Sequence, residues 1–154
     1  MKSKDMPMKY KQKVFDMCIL PILTYGSQTW ALTQKLEQKL AICQRSMERS
    51  MLHVKRLDKI RNESLRKETN ITDVKVKIRK LKWKWAGHVC RQKQDRWAKR
   101  VTEWYPREGK RSRGRQRIRW SDDFVKMMGA TWQRLARDRD AWKEMEEAFV
   151  QRAY

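Results

Sequence analysis

The chain has 154 residues with 40% hydrophobic side chains, enough for a modest core in one ordinary domain or two very small ones. Its 39 Lys and Arg against 18 Asp and Glu give a net charge of +21, far beyond what solubility requires, so a polyanionic partner is the first expectation. Five Gly and three Pro exclude collagen-like and linker-like chains, and the scarcity of β-branched runs disfavours an all-β fold.

The nearly uncharged stretch over residues 17–30 is interrupted by Pro21 and Gly26 and is too short to cross a bilayer, so no membrane partner is expected. Asp16 at its border and the lack of a small-residue cleavage site argue against a signal peptide. Cys18, Cys43 and Cys90 are odd in number and scattered, which fits a reducing intracellular compartment, cytoplasmic or nuclear, better than a disulfide framework.

Helix is expected along most of the chain. Residues 8–23 read as a helix, or a helix broken near Pro21, and Tyr25-Gly26-Ser27 as the turn that ends it. Thr33 is a plausible N-cap for an amphipathic helix whose apolar face is Leu36, Leu40, Cys43, Met47 and Met51. Asp58 is expected to cap a short helix ending near Thr69-Asn70, and Thr72 a longer one with Val74, Ile78, Leu81, Trp85 and His88-Val89 turned inward. Two helices so closely joined make a helix-turn-helix-like pair.

The alternation Lys80-Leu81-Lys82-Trp83-Lys84-Trp85 also describes a half-buried strand. Helix is preferred because the inward face starts at a cap and runs through the segment, which turns Trp83 away from the core. Asp95 is expected to start a helix that Pro106 closes, Ser121 to cap one that Gly129 stops, and two last helical pieces carry Trp132, Leu135, Trp142, Met145 and Phe149. The fold class is therefore all-α: short amphipathic helices in a thumb-like bundle and a helix-turn-helix-like pair, with one long basic loop. The expected divisions are 1–56, thumb-like helices; 57–104, the basic helical region; 105–119, the Arg/Gly loop; and 120–154, the C-terminal helices.

The charge is unevenly placed. Residues 75–119 hold 18 basic and 3 acidic side chains, net +15, whereas 1–74 are net +7 and 120–154 net −1. Repulsion of that density destabilises a compact state unless counter-charge arrives from outside. Within it, residues 107–119 carry seven basic residues, one acid and two glycines. Guanidinium forks reach phosphate oxygens bidentately and glycine lets the backbone approach a strand closely. The candidate phosphate contacts are Arg107, Lys110, Arg111, Arg113, Arg115, Arg117 and Arg119, supported by Lys80, Lys82 and Lys84. Trp83, Trp97, Trp104 and Trp120 are interleaved with these charges and stand as candidates for stacking on unpaired bases, Trp83 foremost. Core packing is the expected role of Trp85, Trp97, Trp104, Trp120, Trp132 and Trp142.

Catalysis finds no support in the sequence. Asp122-Asp123 sits behind Ser121, where two acids in a first helical turn stabilise an N-terminus. The Cys and His positions lack zinc spacing, and phosphate-cradling glycine motifs are absent. No catalytic residue, metal or cofactor is expected, and the chain alone is not expected to be an enzyme.

Five stretches together resemble the C-terminal part of the endonuclease-reverse transcriptases of RTE-type non-LTR retrotransposons: Tyr25-Gly26-Ser27-Gln28-Thr29-Trp30-Ala31-Leu32, Gln44-Arg45-Ser46-Met47-Glu48-Arg49-Ser50-Met51-Leu52, Asp58-Lys59-Ile60-Arg61-Asn62-Glu63, Leu81-Lys82-Trp83-Lys84-Trp85-Ala86-Gly87-His88-Val89, and Trp104-Tyr105-Pro106-Arg107-Glu108-Gly109-Lys110-Arg111-Ser112-Arg113-Gly114-Arg115. The resemblance covers about residues 14–151. It departs at Gln28, where the family has Glu, and at Gln116 beside the Arg-Gly-Arg. The resemblance implies thumb helices and a downstream basic region that grip primer-template or element RNA through the backbone, with the rest of a reverse transcriptase as partner. The palm's aromatic-x-Asp-Asp strand and the endonuclease domain are not in this sequence, so polymerisation by this chain alone is not expected. The alternative is a domesticated retroelement remnant that acts as a helical protein-interaction module with a nuclear-targeting basic loop.

Overall fold

The computed structural model describes residues 3, 5–104, 113–114 and 118–151. These residues form helices and turns, with no strand among them, so the all-α class holds. The elements are α1 (Met8–Val14), a π-helical turn (Phe15–Ile19), α2 (Leu20–Leu23), α3 (Gln34–Leu52), α4 (Asn62–Thr69), α5 (Val74–Cys90), α6 (Trp97–Glu103), α7 (Asp122–Met128), α8 (Trp132–Leu135), α9 (Arg139–Glu144) and α10 (Glu146–Gln151), with 3₁₀ turns at Ser27–Thr29 and Arg56–Asp58. Residues 80–85 lie inside α5, which settles the helix-or-strand ambiguity in favour of helix. The chain forms two compact units, Met1–Gly26 with Gln34–Ile78, and Ser27–Thr33 with Arg79–Tyr154.

In the first unit, Pro21 bends the hydrogen-bond ladder without ending the helix. Proline has no N–H to donate, and the preceding turn widens so that the Leu20 N–H bonds the Phe15 carbonyl five residues back. Phe15 and Leu20 on this segment are fully buried, as are Met51 of α3, Leu65 of α4, and Val74 and Ile78 of α5. Gly26 takes φ +69° in the expected turn, and Asn70 ends α4 in the left-handed region at φ +46°.

The buried face of α3 is polar. Leu36, Ile42 and Cys43 are exposed, whereas Gln44, Arg45 and Glu48 are buried beside Met51. The apolar periodicity thus misplaces this face, because side-chain hydrogen bonds to the start of α5 outweigh burial of the thin apolar stripe. The Gln44 amide donates to the Thr72 carbonyl at 2.8 Å and accepts the Val74 N–H at 2.8 Å, satisfying both sides of a buried amide. Asp73, not Thr72, caps α5, its carboxylate accepting the Lys75 N–H at 2.7 Å. That carboxylate also pairs with Arg66 and, at 3.3 Å, with Arg45, which in turn pairs with Glu48. Burial pushes the Glu48 carboxyl above its usual range, against the pull of Arg45 and Arg66, and one of its oxygens has no partner.

The second unit packs around aromatic rings. Trp83, Ala86 and Cys90 of α5 meet Phe124 of α7, Trp132 of α8, Trp142 of α9 and Phe149 of α10. Trp83 and Trp142 stack at 3.7 Å between centroids and 6° between planes. Each indole N–H donates to the other residue's backbone carbonyl, at 3.0 and 3.1 Å, so both polar ends are satisfied inside the core. Trp83 is therefore a core residue at 1% exposure, and the expectation that it faces away from the core is corrected. Burial also pushes the Cys90 thiol up to about 11, which leaves it an inert packing group.

Gly87 makes the close approach of α5 and α9 possible. A Cβ there would lie 2.7 Å from Cδ1 and Nε1 of Trp142, a ring locked by its stacking and hydrogen bonds. Gly87→Ala gains about 1 kcal/mol in helix propensity but overpacks the contact at a cost of about 1–3 kcal/mol. Because Trp142 has nowhere to yield, the upper part of that range applies and the net expectation is a loss of about 1–2 kcal/mol. Urea unfolding checks it; a raised midpoint would show that Trp142 can slide.

Candidate nucleic-acid interface

The acids that open α7 have separate structural tasks. The Asp122 carboxylate accepts the Arg119 N–H at 2.7 Å, bonding back across the helix start, while Ser121 makes no side-chain cap. Asp123 lies 2.5 Å from the Lys82 ammonium, which is 4% exposed and sits 5.6 and 5.5 Å from the Trp120 and Phe124 ring centroids. Lys82 is thus committed to a buried ion pair and two ring faces, and it is removed from the surface contacts expected of it.

The other sequence-predicted residues divide as follows. Lys84 is exposed and Lys80 half-buried on α5. Arg113 and Arg119 are exposed. Arg107, Lys110, Arg111, Arg115 and Arg117 lie outside the described residues, as does Pro106. Trp83, expected to stack on bases, has no face left to offer.

The tryptophans that reach the surface are others. Trp97, the first residue of α6, is 75% exposed, and Trp104, which follows the helix in extended conformation, is 71% exposed. Both were expected to pack in the core. They line a groove of about 900 Å³ in the second unit, together with Trp85, Trp120 and Arg119. The Trp120 indole N–H donates to the Gln28 carbonyl at 2.7 Å, which fixes that ring at the groove wall. Lys99 of α6 is buried and donates to the Gln92 carbonyl at 3.0 Å and the Cys90 carbonyl at 3.4 Å, tying α6 to the last residue of α5 and the turn after it. The Arg100 guanidinium lies 5.7 Å from the Trp97 ring centroid.

What separates Trp83 from Trp97 was partly readable. Trp83 has Ala86, Gly87 and Cys90 one and two turns on, small residues that leave room for a ring stack. Trp97 opens, and Trp104 follows, a seven-residue helix of which only Lys99 is buried. No metal-holding group of His, Cys, Asp and Glu side chains occurs among the described residues. Among the same residues, no helix is long and apolar enough to cross a membrane.

No family model and no solved structure matches the chain. Over 147 residues it is 33% identical to an uncharacterized transposon-derived protein of Caenorhabditis elegans, an alignment covering 87% of this chain and 53% of that protein. The chain therefore spans about half the length of the curated relative it matches. The similarity supports a transposon origin.

Proposed function

We propose that this chain is the nucleic-acid-gripping C-terminal region of an RTE-type non-LTR retrotransposon reverse transcriptase, holding primer-template or element RNA through phosphate contacts and carrying no catalytic centre of its own. The observation that carries this reading is the net charge of +15 within residues 75–119. The transposon-derived relative and the exposed Lys84, Arg113 and Arg119 support it. The contact set is Lys80, Lys84, Arg107, Lys110, Arg111, Arg113, Arg115, Arg117 and Arg119, without Lys82 and Trp83. Its partners are RNA, DNA or their hybrid and the remainder of such an enzyme.

A polyanion neutralised by these side chains releases its condensed counterions, so binding weakens as salt rises. With six or more phosphates engaged, log affinity for duplex DNA should fall against log salt with a slope of about −5. Fluorescence anisotropy of a labelled duplex from 50 mM to 500 mM salt measures it. A slope shallower than about −2 refutes the reading.

A further inference from the structure

We infer that the tryptophan groove of the second unit binds unpaired nucleotides, stacking their bases on Trp97 and Trp104 while Arg119 meets the backbone. This rests on the nucleic-acid reading above and adds to it the strand state that the chain prefers. Two indoles at 75% and 71% exposure within one groove are costly to leave in water, and flat aromatic ligands cover them most completely.

Charge selects among such ligands. Residues 91–104, which include α6, carry five basic side chains and two acidic ones. The groove wall carries one cation, Arg119, and one anion, Glu103, both exposed, the latter accepting a hydrogen bond from the Gln94 amide at 2.6 Å, so the positive excess comes from the residues around it. Arg96, just before α6, and Arg100, in its middle, are exposed. An apolar peptide would cover the rings but oppose nothing to these cations, and an acidic peptide would answer the cations but leave the rings in water. A single strand presents a π-face and a phosphate at every nucleotide, and so answers both. A duplex hides its bases in the stack and offers the groove only phosphate.

The test compares wild type with Trp97→Ala, Trp104→Ala and the conservative Trp97→Tyr, using labelled oligo(dT), oligo(U) and a duplex of equal length. Circular dichroism confirms that these surface variants fold. Each alanine variant should weaken single-strand binding by about five- to a hundredfold while leaving duplex affinity and the salt slope unchanged. Trp97→Tyr should retain most of the affinity. Equal losses on single strand and duplex, or no loss on either, overturn the inference, the latter outcome assigning the groove to a protein partner. A steep wild-type salt slope with no effect of the tryptophan variants sinks the stacking groove alone, whereas a shallow wild-type slope sinks the phosphate reading beneath it.

Discussion

Trp83→Ala is expected to destabilise the chain by about 3–5 kcal/mol, the range for emptying a buried tryptophan site. The ring is 1% exposed and contacts Trp142, Phe149 and Phe124, so three other rings of the second unit's aromatic cluster lose a neighbour at once. The Trp142 carbonyl also loses its 3.0 Å donor and stays buried without one, adding a desolvation cost to the cavity. At a urea m-value of about 1.5 kcal/mol/M, the loss lowers the midpoint by roughly 2–3 M. Trp83→Phe keeps much of the apolar volume and should cost distinctly less. Were Trp83 a surface ring awaiting a base, the alanine variant would fold as stably as wild type and lose only nucleic-acid affinity. The two readings therefore predict opposite pairs of results, and a midpoint shift below about 0.5 M would return Trp83 to the surface.

The misreading of Trp83 has an identifiable origin. One 3.6-residue period drawn through Val74, Ile78, Leu81 and Trp85 assumes that α5 buries a single stripe in a single core. Val74 and Ile78 are buried in the first unit, and Trp83, Ala86 and Cys90 in the second. Helix existence was legible from propensity and from breakers such as Gly26 and Gly129, which both occur at positive φ where the sequence places turns. Facing was legible only where apolar residues alone decide it. In α3 the deciding residues are Gln44 and Arg45, whose burial depends on partners at Thr72, Asp73 and Val74, 28–30 positions away, and Glu48, which Arg45 holds. Lys82 is the same case, since nothing local in a lysine-rich segment distinguishes the lysine that will meet Asp123. The location of the charge excess, by contrast, was fully legible, because counting it requires no fold.

Replacing Arg111, Arg113, Arg115 and Arg117 together with glutamine should have the largest effect on nucleic-acid binding. Each phosphate contact contributes a slope of about −0.9 in log affinity against log salt, so four lost contacts flatten a slope of about −5 by between three and four. At 0.1 M salt, one decade below a 1 M reference, the same arithmetic makes the variant about four thousandfold weaker, with the two proteins converging near 1 M. The convergence is the diagnostic part. A variant that had simply unfolded would be weaker at every salt concentration, and its urea midpoint would fall with it. Arg113 is exposed, and none of the four belongs to the described aromatic core, so the midpoint should stay where it is. Lysine at the same four positions separates charge from geometry: the salt slope should survive, because counterion release follows charge, while bidentate phosphate contacts weaken and affinity drops by a smaller, salt-independent factor. Glutamine and wild-type proteins with equal slopes would leave the arginine-rich sequence 107–119 without a phosphate-gripping role and point to the targeting function of the alternative reading.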